Sequence, residues 1–451
     1  MSPTSTERDY RRAIAITLAA LLLLCSGLFA IGAAQGPKLS NVQLDVARTS
    51  TQQVRLVANQ SIAPITESQV KVSPAAPFTV DTTGNVIAIV FSIPLDYHAR
   101  YTVTVSGVRS PARDTESTFE TTFTTRDATV YYLDRGDDTD SIYVSGVTPA
   151  EHRLAYQANH IMEFTVVGKV LAVVTRDADG LDTLSLVQLD STIVEELALP
   201  DDGWITQVQA SDSALTLGFV LTSIGDDDYI RTLFTIQLAS GRELVPTLDL
   251  QGQPLHVVGW QFRPGTESLV VIDSTGALAV IDPAAPEAQL PLGDYLGLSH
   301  ISQDGTTVTA SDQFGFSALT IDDLQAERLP PSLVDGEEPY LSEAQVLRDG
   351  SAIELVFRYH VETGRFDTYL VHDDGTSSTP IYGKKGSDAM ILHFTVSPNE
   401  QYVAVELDPN TKTSQDDGYV GNSRPTTVTT AVVDVATGSL VAEFEGFAFH
   451  W

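Results

Sequence analysis

Closely spaced carboxylates are the first residues in this chain that could do chemistry. Asp177, Asp179 and Asp182 alternate around a glycine, and carboxylates at such spacing can wrap a calcium ion with oxygen ligands. Gln188 stands where an EF-hand loop would place its bidentate glutamate. The same run also suits a hairpin tip, because Asp and Gly readily adopt turn conformations. Calcium is therefore the one cofactor that the sequence leaves open, with a hairpin tip as the favoured interpretation.

Two further acidic runs strengthen the hairpin interpretation. Residues 134–140 and 226–228 are rich in Asp and occupy the same place in their own sequence units as the run around Asp179. A shared position between two strands is explained by turn chemistry alone.

Three histidines share a position in a repeated strand pattern. His300, His393 and His450 each fall in or beside a strand predicted to be innermost in its sheet, so they could line a central channel or serve as hydrogen-bonded core residues. The chain contains no Gly-x-Ser-x-Gly elbow, no His-Glu-x-x-His motif and no glycine-rich phosphate loop. We therefore assign no catalytic residue from sequence.

Aromatic residues and one long loop complete the set of candidates. Trp204, Trp260 and Trp451 lie at predicted innermost strands, where packing between neighbouring sheets is the expected role. Residues 408–425 form an unusually long polar insertion between two strands, and a loop of this kind is either functional or disordered. Tyr419 and Arg424, both common contact residues, make this loop a candidate partner-binding segment.

Charge and composition narrow the classes of partner. The 451 residues carry a formal net charge of −33 with a pI near 4.4. Such an excess of carboxylates repels nucleic acid and anionic lipid, and no basic patch offsets it. With 43% apolar residues, the chain is long enough to bury more than one core.

The N-terminus predicts export. Residues 1–12 contain three arginines and precede an apolar run at 13–34 that is long enough to cross a bilayer. The positive-inside rule places the arginines in the cytoplasm and the rest of the chain outside. Two alternatives stay open: an uncleaved single-pass anchor in the cell membrane, or a signal peptide that is removed before secretion. Cys25 is the only cysteine, so the exported part has no disulfide.

Residues 36–126 predict a separate β-sandwich. Short alternating strands are expected at 41–47, 53–58, 70–73, 86–91, 101–105 and 119–125. The run Tyr-Thr-Val-Thr-Val at 101–105, followed by the closing Phe119-Glu-Thr, resembles the bacterial Ig-like domains of surface-layer and cell-wall proteins. The resemblance implies a spacer or adhesion module without catalytic residues.

Residues 127–451 contain a repeat of about forty to fifty residues per unit, a period typical of four-stranded propeller blades. Units start near His160, Trp204, Leu255, Gly297, Leu341 and Ile391. Turns such as Ser-Gln-Asp-Gly at 302–305 and Ser-Pro-Asn-Glu at 397–400 resemble TolB-like and WD40-like propeller repeats. An incomplete unit at 129–156 lacks its first strand, which residues 447–451 could supply. The sequence thus predicts an all-β protein with a seven-bladed propeller closed by its C-terminal strand.

Two functions are consistent with this organisation. The favoured hypothesis is a non-enzymatic, extracytoplasmic binding protein of the bacterial cell envelope, with a protein, a peptide or a cell-wall glycan as ligand. The alternative is a polysaccharide lyase or hydrolase with a site in the central funnel. Histidines and acidic groups brought together in that funnel would favour the enzyme.

Overall fold

The computed structural model divides the chain into two compact units, residues 1–126 and residues 127–451. We refer to them as the first unit and the second unit. The structure describes residues 10, 13–24, 36–45, 52–111, 113–148, 152–191, 193–211, 213–225, 229–239, 242–361, 364–383 and 385–451.

The N-terminal apolar segment is helical where the structure describes it. Residues 13–24 are helical, and the Thr17 hydroxyl donates to the Ala13 carbonyl at 2.9 Å. Among the described residues, no helix is long and apolar enough to span a membrane. The rest of the segment predicted to span, residues 25–34, and Cys25 with it, lie outside the described residues.

The first unit consists of seven strands in two sheets. One sheet has the order β1-β2-β5-β4 and the other β3-β6-β7. A single 3-10 turn at Glu67–Gln69 precedes β3. The strands are β1 (Leu39–Asp45), β2 (Gln53–Ala58), β3 (Val70–Ser73), β4 (Phe78–Thr83), β5 (Val86–Phe91), β6 (Arg100–Val108) and β7 (Ser117–Thr124).

Alternation of apolar residues builds the core of the first unit. Leu56, Ile87, Ile89 and Val103 are fully buried, and their neighbours along each strand are more exposed. The sequence missed β4, because this edge strand has no fully buried residue and its Asp and Thr side chains weaken the apolar pattern.

The second unit contains seven four-stranded antiparallel sheets. Six of them have their strands in chain order, and the seventh has the order β10-β9-β8-β35. The strands are β8 (Thr129–Arg135), β9 (Asp140–Gly146), β10 (Arg153–Ala158), β11 (Ile161–Val167), β12 (Val170–Arg176), β13 (Asp182–Gln188), β14 (Val194–Leu197), β15 (Gly203–Ser211), β16 (Thr216–Ser223), β17 (Thr232–Gln237), β18 (Leu244–Pro246), β19 (Val257–Phe262), β20 (Leu269–Asp273), β21 (Ala277–Ile281), β22 (Leu290–Asp294), β23 (Gly297–Ile301), β24 (Thr307–Asp312), β25 (Gly315–Thr320), β26 (Gln325–Leu329), β27 (Tyr340–Val346), β28 (Ala352–His360), β29 (Arg365–Asp373), β30 (Ser378–Tyr382), β31 (Met390–Val396), β32 (Tyr402–Asp408), β33 (Thr429–Asp434), β34 (Leu440–Glu445) and β35 (Phe447–His450).

The first strand of each sheet agrees closely with the predicted unit starts. β11, β15, β19, β23, β27 and β31 begin within two residues of the predicted positions. These strands and β35 are the innermost strands, since β11 contacts β35 and β15, β15 contacts β19, β19 contacts β23, and β23 contacts β27. The all-β architecture and its repeated four-stranded sheets are consistent with a β-propeller.

The predicted pairing of the C-terminal segment with the incomplete unit is confirmed. β35 pairs antiparallel with β8, through Phe447 opposite Leu133 and His450 opposite Tyr131. Phe447 is 1% exposed and packs in the core shared with β11 and β12. The sheet of β8 to β10 thereby gains its fourth strand, and β8 presents no open edge.

The tryptophans occupy different environments. Trp260 is 2% exposed, and a Cβ placed on Gly218 of the preceding sheet would lie only 2.4 Å from its ring. Trp260 therefore packs between sheets, as predicted, and Trp451 stacks on Tyr402 at 6.4 Å. The prediction for Trp204 is wrong. Trp204 is the second residue of β15 and is 45% exposed, and its indole N–H donates to the Gly180 carbonyl at 3.1 Å.

Candidate functional site

Every innermost strand contains a register shift, and residues that follow these shifts contribute to the candidate site. Each of these strands loses its regular pairing with the neighbouring strand near its start and resumes it one or more residues later. Such bulges bend a strand and re-aim its side chains. Pairing resumes two residues later in five of the strands and three residues later in β15 and β35, at Glu163, Gln209, Gly259, His300, Glu343, His393 and His450.

Four of these residues line one cavity of about 410 Å³. Gln209, His300, His393 and His450 contribute from four different sheets, and all three histidines singled out from sequence are therefore brought to one place. Polar side chains provide much of the remaining lining, namely those of Gln261, Ser299, Gln303, Gln345, Thr395, Glu406 and Thr430. A polar cavity of this size is suited to a small ligand rather than to a macromolecule.

The carboxylate of Glu343 holds two of the histidines. His300 Nε2 and His393 Nδ1 each lie 2.8 Å from the same oxygen, Glu343 Oε1. The two imidazole rings are stacked with centroids 6.0 Å apart, and the His300 ring also lies 5.1 Å from that of Phe394. Glu343 and His300 are largely buried, whereas the His393 side chain is 50% exposed. His393 is thus the member of this triad that a ligand can reach, and its Nε2 is the nitrogen left for that purpose.

Electrostatic interaction shifts the protonation equilibria of Glu343 and His393. Burial alone would raise the pKa of Glu343, but the adjacent His393 and His300 lower it to about 2. Burial opposes the imidazolium form of His393, yet the Glu343 carboxylate raises its pKa above the ordinary value. Glu343 is therefore ionised at all physiological pH values, and His393 carries more positive charge near neutrality than a free imidazole does.

Three half-buried glutamines give the cavity its hydrogen-bonding character. The amide nitrogens of Gln209, Gln261 and Gln303 donate to the main-chain carbonyls of Trp260, Ser299 and Val396 at 2.7, 2.7 and 3.1 Å. The first two bonds tie innermost strands to their neighbours, and the third joins the turn after β23 to β31. They also leave the amide oxygens as acceptors, because a primary amide has both donor and acceptor atoms.

In the acidic run considered as a calcium site, the carboxylates of Asp177 and Asp182 accept hydrogen bonds from the protein itself. Asp182 is buried, receives two hydrogen bonds from Arg176 at 2.7 and 2.9 Å, and accepts the Ile205 N–H at 2.8 Å. Asp177 caps its own turn by accepting the N–H groups of Asp179 and Leu181, each at 2.9 Å. Among the described residues, no group of three or more His, Cys, Asp or Glu side chains is arranged to hold a metal ion.

A second acidic run repeats this arrangement. Asp140, at the first position of β9, is fully buried and accepts the N–H of Ile161 in the next innermost strand at 2.6 Å. Asp182 holds the corresponding first position of β13 and binds the following innermost strand in the same way. The last acid of each of these tips therefore clamps one sheet to the next. The run 226–228 lies outside the described residues.

The loop at 408–425 is engaged with its own protein. The Tyr419 hydroxyl donates to Asp140 at 2.8 Å, and the Arg135 guanidinium lies 3.8 Å from the centre of the Tyr419 ring. Arg135 also pairs with Asp417 at 2.7 Å. Arg424 donates to Glu406 at 2.7 Å and thereby neutralises a carboxylate of the channel cavity. Binding of a partner by Tyr419 and Arg424 stays a prediction, and their visible contacts are with the second unit itself.

Sequence reasoning missed Glu343, the residue that organises the site. The signal for it lay in its position, because Glu163, His300, Glu343 and His393 all follow the same two-residue register shift in the first strand of their units. An isolated glutamate in a strand otherwise reads as a solvent-facing residue.

Comparisons with known proteins give distant matches among solved structures. No family model matches the chain, and no curated protein matches it. Among solved structures, the β-propeller domain of Cps50 (Swd1) from Myceliophteria thermophila is 13% identical, with a TM-score of 0.40 over 64% of this chain and 88% of that chain. A Lactobacillus plantarum protein is 14% identical, with a TM-score of 0.44 over 71% and 98%. Oligogalacturonate lyase from Vibrio parahaemolyticus is 14% identical, with a TM-score of 0.42 over 69% and 83%. The matches thus include an enzyme as well as proteins not named as enzymes.

Proposed function

We propose that this chain is an extracytoplasmic binding protein of the cell envelope. In this proposal the segment 13–34 anchors it in the membrane, the first unit is an Ig-like spacer, and the second unit is a seven-bladed propeller. The seven four-stranded sheets and the pairing of β35 with β8 support the blade count. The two-sheet arrangement of the first unit supports the Ig-like assignment.

The ligand we propose for the channel is a short, hydroxyl-rich segment of a cell-wall glycan. The observation that carries this proposal is the 410 Å³ polar cavity, in which amide oxygens, imidazoles and hydroxyls converge from several sheets. Sugar hydroxyls both donate and accept hydrogen bonds, so they suit a mixture of amide acceptors and the imidazolium donor of His393. Packing between sheets holds these groups in place before the ligand arrives, which reduces the entropy lost on binding.

Calorimetric titration of the full chain in mild detergent tests this proposal. The probes are short soluble cell-wall glycan fragments, with glucose oligomers of equal length for comparison. Replacing Gln303 with Leu removes a polar group from the cavity wall and should weaken glycan binding about tenfold, the cost of one or two lost hydrogen bonds. Gln325→Leu, on the exposed strand β26 outside the cavity, is the matched control. No binding, or equal binding by both variants, would reject the channel site.

A second candidate function follows from the half-exposed His393. A histidine oriented by a carboxylate, with its other nitrogen facing a cavity, is the arrangement of a general base. Glycoside hydrolysis usually needs two carboxyl groups free to act, whereas Glu343 is held by two histidines and Glu406 by Arg424. The site therefore favours a lyase reaction: His393 takes the proton beside a uronic carboxylate, a carbon–carbon double bond forms, and the glycosidic C–O bond breaks as its oxygen takes a proton from water.

Turnover separates the two candidates. Incubation with uronic-acid polysaccharides, followed by ultraviolet absorbance of the unsaturated product, detects the lyase reaction. A lyase should lose activity in His393→Gln while still binding the polymer, and its rate should rise with pH as His393 loses its proton. Binding without any unsaturated product would leave the non-enzymatic function as the correct one.

A further inference from the structure

Exposed aromatic residues of the second unit are concentrated at one end. Trp204, Phe314, Tyr340, Tyr359 and Phe366 are the exposed aromatic side chains among its described residues. All five lie where innermost strands begin or where second strands turn into third strands, and the strand register places these two features at the same end. Three of the five belong to a single sheet, the one formed by β27 to β30.

These three residues form a continuous aromatic surface with Phe357. Tyr340 stands opposite Phe357 on neighbouring strands, with ring centroids 5.4 Å apart, and Tyr359 stands opposite Phe366 at 4.8 Å. Phe357 and Phe366 are 5.8 Å apart and link the two pairs. Tyr340 is 66% exposed, and Tyr359 and Phe366 are each 48% exposed. Aromatic rings exposed together in this way are characteristic of binding surfaces rather than of ordinary surface residues.

A recess of about 310 Å³ adjoins this surface and carries excess negative charge. Glu337, Glu338, Tyr340 and Tyr359 are among its lining residues, together with Arg358. The guanidinium of Arg358 is already paired with Glu337, and Asp335 also lies 3.7 Å from it. Glu338 makes no ion pair or hydrogen bond with any residue that the structure describes, so one carboxylate of the recess is unneutralised.

We propose that this surface, the aromatic recess of β27–β29, binds a protein segment in which a lysine or arginine stands beside an apolar residue. The cationic group would lie against the faces of Tyr340 and Tyr359 and close to Glu338, since aromatic rings and carboxylates attract cations together. The apolar neighbour would cover Phe366 and Val361, which is 83% exposed. The net charge of −33 adds long-range attraction for a basic partner. This site is separate from the channel cavity and does not depend on the glycan proposal.

Selection from a display library of short random peptides on the immobilised full chain tests the inference. Peptides recovered on the wild type should be enriched in Lys or Arg beside apolar residues, and the Tyr340→Ala/Tyr359→Ala variant should lose this enrichment. The variant comparison is essential because the acidic protein attracts basic peptides everywhere. Equal recovery on both proteins, or enrichment of acidic peptides, would overturn the proposal.

Titration calorimetry with the most enriched peptide then measures each contribution. Tyr340→Ala and Glu338→Gln should each weaken binding about fivefold, the usual effect of losing one cation–π contact or one close charge. Phe314 is an even more exposed aromatic residue of the neighbouring sheet at the same end, and Phe314→Ala should leave the affinity unchanged. A soluble cell-wall glycan fragment that competes with the peptide would show that the recess is a sugar site instead. Gln303→Leu, in the channel, should leave peptide binding unaltered.

Discussion

Replacing Asp182 with Ala should destabilise the second unit by several kcal/mol. The mutation removes the acceptor of the buried Ile205 N–H, and an unsatisfied buried donor costs about 1–3 kcal/mol. It also leaves Arg176, whose side chain is only 17% exposed, without its partner. Breaking a buried ion pair costs about 3–5 kcal/mol, and the bond that Arg176 keeps to the Val420 carbonyl at 2.7 Å reduces this. We expect a total loss of about 3–5 kcal/mol.

Urea unfolding followed by tryptophan fluorescence measures this loss in the full chain. All three tryptophans lie in the second unit, so the signal reports on that unit alone. Asp179→Ala is the matched control, because Asp179 is an exposed turn residue of the same tip. It should change stability by less than about 0.5 kcal/mol. Asp182→Asn, which keeps an oxygen acceptor but not the charge, should fall between the two.

Equal stability of Asp182→Ala and Asp179→Ala would refute the clamp. The calcium hypothesis makes the opposite prediction, because a bound ion stabilises the folded state in proportion to the logarithm of its concentration. Millimolar calcium would then raise the unfolding midpoint of the wild type, and both variants would abolish that rise. A midpoint independent of calcium in all three proteins is the result that we expect.

The remaining predictions concern the pairing of β35 with β8, the residues Glu343 and His393, and the long loop at 408–425. Phe447→Ala should cost about 3–5 kcal/mol, the usual loss for a buried phenylalanine, as measured by the same urea unfolding. Because the pKa of Glu343 is lowered to about 2, its stabilisation is complete above about pH 4.5 and disappears as the pH falls through about 2. Because the pKa of His393 is raised in the folded state, its protonation stabilises the fold below about pH 6.5, and this stabilisation is lost as the pH rises through the folded-state pKa. The free energy of unfolding should therefore be greatest between about pH 4.5 and 6.5. His393→Gln should abolish the decline in stability above that range. Tyr419→Phe removes the hydroxyl that donates to Asp140 and should cost about 1–2 kcal/mol of stability. If residues 408–425 are cleaved by protease at the same rate in this variant as in the wild type, the Tyr419–Asp140 hydrogen bond does not hold the loop in place.

The repeat made much of the fold predictable. Second strands such as β32, which is buried along its whole length, appear in the sequence as continuous apolar runs, and turn residues separate them. Strand β4 escaped because an edge strand with no fully buried residue carries no such signal. Pairing of β35 with β8 was foreseeable, because an incomplete unit needs a strand and only one unassigned strand remained.

The site was predictable only in part. Placing His300 and His393 in innermost strands required only the strand pattern. Their meeting at Glu343 depends on the register shifts, which move each side chain by a residue relative to regular pairing. A period-two pattern read from sequence cannot contain this displacement. Trp204 was misplaced because the strand pattern does not say which residues of an innermost strand are covered by the next sheet, and Trp204 is exposed at the start of β15.

The bulge in each innermost strand also separates the residues that form the apolar cores from the residues that can determine ligand specificity. The residue that follows each bulge contributes little to the apolar cores, so it can be exchanged without repacking a sheet. At Gly259 the nearest atom to an added Cβ would be 3.4 Å away, ordinary contact, so a side chain can be introduced there. Four of the seven positions line the cavity, so a few substitutions there would change its lining while the apolar cores stay the same. These four positions are therefore the natural library for engineering new recognition.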